Sequence, residues 1–195
     1  MQAVGKIEVD LEKLNVDFAS VSAHKINGPQ GVGALLHRKA LNLKPIIFGG
    51  GQEKSKRAGT SNIAGIAGFG ESCKLAKAKI ELYKETESLR DFLELKMTEI
   101  AGDNIEIFSK NVARLPNTSY SSIRNSENQT QLINLSAGSA CSSGTLKISR
   151  VLKAMKVKPE FLQGAIRVSL GIENTKEEVE QFITIWTKFY QRIQH

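Results

Sequence analysis

Four stretches of this 195-residue chain carry residue types whose spacing could do chemistry. The first is SAHKINGPQGVG, Ser22 to Gly33, which sets Lys25 where an apolar run gives way to glycines. A lysine becomes a nucleophile toward a carbonyl when desolvation or a nearby cation lowers its pKa, and it then forms a Schiff base. A strand end feeding a glycine-rich turn suits that role, because the strand fixes the Cα and the glycines let a ligand approach. Read as strand, the run alternates Ser22 and His24 with Ala23 and Lys25, so Ser22 and His24 can face one anion. The plain alternative is a strand-end lysine reaching water.

The second is SAGSACSSGT, Ser136 to Thr145, around Cys141. Small neighbours expose a thiol and let its loop move, as a nucleophilic or sulfur-carrying cysteine requires. The alternative is a small buried residue in a tight turn. His37 and His195 are distant candidates for its base and have no motif support. The third is GGGQEKSKRAGT, Gly49 to Thr60, where backbone N–H groups, Arg57 and Thr60 could cradle an anion, although the spacing is not that of a P-loop. The fourth is Arg167 in AIRVSLG, a charge in an apolar strand. Burying it unpaired would be costly. It therefore predicts a carboxylate partner, either a structural Asp or Glu or a substrate carboxylate held by the guanidinium fork.

The elements that must position these residues follow from periodicity. VDFASVS (Val16 to Ser22) predicts a strand and VGALLHR a returning one, followed by a long basic, glycine-rich loop. From Ile63 to Ile100 apolar residues recur at three and four, which predicts helix with a bend near residues 76 to 80. IEIFS, NTSYSSI, QLINL and AIRVSLG predict strands, and Ser149 to Met155 and Pro159 to Gly164 predict short helices. A closing helix starts at Thr175, where Glu178 three residues on completes a capping-box signature. The fold class is α/β, with regions 1–78 and 79–195.

Composition narrows the function. With 41% hydrophobic and 24% charged residues the chain can bury a real core. No apolar run approaches the ~20 residues that span a bilayer, and the N-terminus lacks a signal-peptide pattern, so a cytoplasmic protein with no membrane role is expected. The net charge of +7 comes from lysines interspersed with glutamates on helix-like stretches. That is a solvated face rather than a nucleic-acid footprint. Cys73 and Cys141 are the only cysteines, too few for a disulfide framework or a four-cysteine zinc site, and no metal is expected. Cys73, in FGESCKLAKA, is expected as a packed core thiol.

In this order the motifs resemble the cysteine desulfurases, the NifS/IscS-like branch of the class V aminotransferase family of pyridoxal phosphate enzymes. SAHKINGPQGVGAL is similar to the family's Schiff-base lysine segment, and GGGQEKSKRAGTSN to its glycine-rich segment. LPNTSYSS is similar to its L-P-N-T strand, SAGSACSSGT to its catalytic loop and IRVSLG to its substrate-arginine strand. The resemblance implies the C-terminal part of a type I pyridoxal phosphate fold: a remnant of the large-domain sheet, then an α+β small domain carrying the cysteine loop. It implies that Lys25 holds pyridoxal 5'-phosphate as a Schiff base and moves protons. Gln2 would contact the ring hydroxyl, and Ser22 and His24 the phosphate. Thr60 would reach the phosphate of the other subunit of a homodimer. Arg167 would grip the carboxylate of L-cysteine, and Cys141 would take its sulfur as a persulfide, leaving L-alanine. A sulfur-acceptor or scaffold protein of iron–sulfur assembly or tRNA thiolation would receive the persulfide.

The resemblance also carries departures. The family's chain is roughly twice as long, and its carboxylate for the pyridinium nitrogen, its ring-stacking histidine and a phosphate-binding threonine fall before Met1. Gln30 stands where lysine is usual and Ala58 where serine is common. The expectation is a C-terminal part that is inactive alone and is completed by a separate N-terminal half, or else a truncated product. Two other readings are a non-catalytic module that binds a desulfurase subunit or sulfur acceptor, and a selenocysteine lyase or other class V enzyme.

Overall fold

The computed structural model describes residues 2–126 and 148–194. The chain divides into two compact units, Met1–Glu81 and Leu82–His195.

The first unit is built on an antiparallel hairpin, β1 (Phe18–Ser22) with β2 (Gly33–His37), in the register Phe18↔His37 to Ser22↔Gly33. A glycine is required at position 33, because a Cβ there would lie 2.5 Å from the Val21 carbonyl oxygen. The hairpin connection holds a single 3₁₀ turn, Ala23–Ile26. With three residues per turn, Ala23 and Ile26 share a face. Both are buried in a small core with Phe69, flanked by Val4, Val21, Val32 and Ala76. Lys25 is therefore not on the strand, and Ser22 and His24 do not alternate along one. The buried pair sets the period of this segment, and His24 faces water.

The loop after β2 contains one turn, α1 (Gln52–Ser55), in which Glu53, Lys54 and Ser55 all have left-handed φ values of 49°, 54° and 62°. The helical stretch is realised as α2 (Ile63–Ala78) and α3 (Ile80–Ala101), meeting at Lys79. Asn62 caps α2 by accepting the Gly65 N–H at 3.0 Å. The small residues of α2 allow close approach: a Cβ on Gly68 would lie 2.7 Å from Pro29 Cγ. Cys73 is exposed on α2, because the buried positions of that helix are Gly65, Phe69 and Ser72. The expected core thiol is corrected accordingly.

The second unit has an antiparallel sheet in the order β3 (Ile105–Ile107), β4 (Thr118–Ile123), β5 (Ala165–Ser169). Its main core gathers Leu93 and Met97 of α3, Ile123 and Leu170, and Val179, Trp186 and Phe189 of α5 (Lys176–Ile193). A second core joins Phe108, Leu152, Phe161 and Ala165, with Tyr120 packed against it. Leu152 belongs to the short helix α4 (Arg150–Ala154), and Phe161 to the 3₁₀ turn Pro159–Phe161. The capping box at Thr175 is formed in both directions: Glu178 N–H donates to Thr175 Oγ1 at 3.3 Å, and Thr175 N–H donates to Glu178 Oε2 at 3.1 Å. Among the described residues no helix is long and apolar enough to cross a membrane.

Candidate functional site

Lys25 is placed by backbone contacts on both sides of it. Ala23 N–H donates to Val32 O at 3.0 Å, and Gly28 N–H returns to Ala23 O at 2.9 Å. Asn27, at φ 60°, closes the turn in the left-handed region that Asn tolerates better than most residues. Position 28 is crowded, since a Cβ there would meet Ser72 Oγ at 2.8 Å. The turn is thus pinned to α2 and to Val32 just before β2, while Lys25 is only half-buried and Ser22, at its start, likewise. The result is an amine on a rigid support with partial shielding from water.

The other candidates of the first unit, Gln2 and Thr60, are exposed. The Gln2 carbonyl accepts a hydrogen bond from Lys6 Nζ at 3.3 Å. His37 is engaged on both ring nitrogens, with Lys56 Nζ 3.1 Å from Nε2 and the Arg38 carbonyl 2.9 Å from Nδ1. That pattern fits a neutral ring with its proton on Nδ1. Cys141 lies outside the described residues.

Arg167 belongs to the second unit, on β5, and is exposed rather than buried. The expected cost of burial does not arise, and among the described residues it has no carboxylate partner. It stands directly opposite Tyr120 on β4. Tyr120 is half-buried, edge-on to Phe108 with ring centroids 5.2 Å apart. Burial raises its phenol above the usual 10.0, against the opposing pull of a hydrogen bond from Ser149 and the charge of Arg167. Sequence reading passed over Tyr120, whose place beside Arg167 depends on the strand register. Asn117 secures that register, because its backbone carbonyl accepts from Leu170 N–H and its side-chain amide donates to Leu170 O, both at 2.8 Å.

A cavity of about 580 Å³ in the second unit is lined by Arg90, Glu94, Lys110 and Arg114 among others, and by none of the candidate residues. Its guanidinium groups are already committed: Arg114 to Glu94, and Arg90 to Asp91, Glu87 and the Leu115 carbonyl. The cavity is a structural ion-pair cluster and not the candidate site.

Residues 1–182 match the aminotransferase class-V family. The chain belongs to that family. A class V relative, cysteine desulfurase IscS of Dictyoglomus turgidum, is 38% identical over 99% of this chain and 51% of its own length. Another, cysteine desulfurase IscS of Methanosarcina thermophila, is 36% identical over 100% of this chain and 50% of its own length. The crystal structure of a NifS-like protein from Rickettsia africae superposes with a TM-score of 0.84 at 38% identity, covering 98% of this chain and 52% of that one. The chain spans about half the length of the curated relatives it matches, and it is a mixed α/β part of their fold.

Class V aminotransferases and cysteine desulfurases are pyridoxal-phosphate-dependent. The donor set of the first unit fits such a group, which needs an amine for its aldehyde and N–H or O–H donors for its phosphate. Lys25 would supply the amine on a pinned turn, Ser22 a half-buried hydroxyl, and His24 and Thr60 exposed donors. Glycine at the crowded position 28 lets that turn seat against Ser72.

Proposed function

We propose that this chain is the lysine- and cysteine-bearing part of a cysteine desulfurase, one that takes sulfur from L-cysteine and leaves L-alanine. The reading is carried by the fixing of Lys25 on the pinned Ala23–Ile26 turn, within the segment that resembles the family's Schiff-base lysine segment. Pyridoxal phosphate, when bound, supplies the aldehyde and the electron-withdrawing ring. Lys25 would attach it through Nζ and would hold and move protons at that same nitrogen. Ser22 and His24 would hold the phosphate, Thr60 would reach that of the other subunit, and Gln2 would meet the ring hydroxyl.

Arg167 orients the substrate through its carboxylate. The thiolate of Cys141 attacks the substrate sulfur: an S–S bond forms and the C–S bond breaks. Its electron pair stays with the carbon skeleton, which is protonated to alanine. Cysteine desulfurases use L-cysteine and usually act as dimers. The persulfide then passes to an acceptor or scaffold protein in the cytoplasm. Turnover further requires the half of the relatives that this chain does not match, which supplies the partner of the pyridine nitrogen.

The test mixes the purified chain with pyridoxal phosphate and L-cysteine, with and without a polypeptide equivalent to that other half, and assays alanine and sulfide. The expected result is turnover only in the mixture, no covalent cofactor in Lys25→Ala, and no sulfur release in Cys141→Ala. Robust turnover by the chain alone would overturn the need for the second half. Sulfur release by Cys141→Ala would overturn the sulfur-transfer assignment.

A further inference from the structure

Arg167 and Tyr120 are directly opposed across β5 and β4, so their side chains leave the same face of the sheet with Cβ atoms about 5 Å apart. The Tyr120 ring is packed edge-on against Phe108, and Ser149 lies close enough to the phenol oxygen to favour the phenolate. Ser149 is the N-cap of α4, and its Oγ accepts the Leu152 N–H at 3.4 Å. The phenol O–H belongs to the same face of the sheet as a guanidinium that has no carboxylate partner among the described residues. Burial keeps that proton in place at neutral pH. A carboxylate is the group that can accept from both: a guanidinium fork on its two oxygens and a phenol O–H on one of them.

We propose that Tyr120 and Arg167 together form the carboxylate seat for the α-amino-acid substrate, with Tyr120 a specificity-determining residue held in place by its packing on Phe108. This rests on the reading of Arg167 as the substrate-binding arginine and adds a second donor to it. The seat favours a free carboxylate over an amide or ester, because a neutral carbonyl would leave the guanidinium uncompensated.

The test uses the full chain with labelled tyrosine ring carbons and arginine Nε. It is titrated with L-alanine, which carries the same carboxylate and no reactive thiol, and with L-alaninamide as the control. L-alanine is expected to shift the Tyr120 and Arg167 signals together, and L-alaninamide neither. Tyr120→Phe, which keeps the ring on Phe108, is expected to weaken L-alanine binding at Arg167 by about tenfold, as loss of one hydrogen bond to a charged group does. A response at Arg167 with Tyr120 silent, or unchanged affinity in Tyr120→Phe, overturns the seat and leaves the arginine reading standing. Silence at both residues overturns both.

Discussion

Arg114 places its two terminal nitrogens on the two carboxylate oxygens of Glu94, each at 2.6 Å, tying the segment before β4 to helix α3. The Glu94 side chain is 2% exposed and that of Arg114 15%, so the pair is nearly out of water. Hydrogen bonding to Glu94 is the main reason the Arg114 guanidinium holds its proton more firmly than usual. Removing one partner strands the other charge, which costs about 3 kcal/mol or more. Glu94→Ala is therefore expected to lower the urea midpoint sharply, read from the fluorescence of Trp186, the chain's single tryptophan and fully buried in the same core. Glu94→Leu with Arg114→Met is expected to regain most of that loss. A double variant as weak as Glu94→Ala would show that the pair does more than cancel its own desolvation.

The capping box gives a second, smaller effect with a defined pH dependence. Thr175→Ala removes the acceptor for the Glu178 N–H and is expected to cost about 1 kcal/mol. Hydrogen bonds from Asn174 and from the Thr175 backbone hold the Glu178 carboxyl below its usual 4.5. A carboxyl depressed by folding adds stability above its unfolded pKa and loses it as pH falls through the folded one. Glu178→Gln should therefore be less stable than the parent at neutral pH and lose less on acidification below 4.5. Parallel acid-unfolding curves for the two proteins would rule this out.

Two glycines of α2 make a matched pair. At Gly70 an added Cβ meets nothing within 4 Å, whereas at Gly68 it would lie 2.7 Å from the Pro29 ring. Alanine in an open helix position is favoured over glycine by roughly 0.5–1 kcal/mol. Gly70→Ala should slow amide exchange along α2. Gly68→Ala must push Pro29, and with it the turn that carries Lys25, so faster exchange at Ala23 and Gly28 is expected. Equal behaviour of the two variants would show that the Pro29 contact does not fix that turn.

Local rules made some of this legible and left the rest hidden. Thr175 and Glu178 could be read together because a capping box is closed within four residues. The paired strands around Tyr120 and Arg167 follow from period two, but which residue opposes which was set by Asn117 and Leu170, 53 positions apart. The Lys25 segment read as strand because Val21 and Ala23 continue an alternation. Phe69, Val32 and Ala76 instead draw Ala23 and Ile26 to one side, and only a three-residue period satisfies both. Cys73 read as core because its neighbours are apolar or small, whereas the buried side of α2 runs through Phe69 and Ser72. Family motifs singled out Lys25 and Arg167 from sequence alone, while burial of the arginine was inferred from an apolar strand whose outer face is open.

The exposure of Cys73 matters for any sulfur assay on this protein. A free, accessible thiol can take up persulfide sulfur from solution by exchange, without any part in turnover. Cys73 sits on α2 in the first unit, one residue from the buried Ser72 and beside the Glu71–Lys74 ion pair at 3.2 Å. It is expected to be alkylated in the native state at the rate of an ordinary surface thiol. In the mixture with the other half and pyridoxal phosphate, Cys73→Ser is expected to leave alanine formation unchanged while removing one of the two sulfur-bearing peptides seen by mass spectrometry after L-cysteine treatment. The remaining persulfide should map to Cys141. Loss of alanine formation in Cys73→Ser, with the fold intact by Trp186 fluorescence, would move the sulfur-accepting role to the exposed thiol of α2.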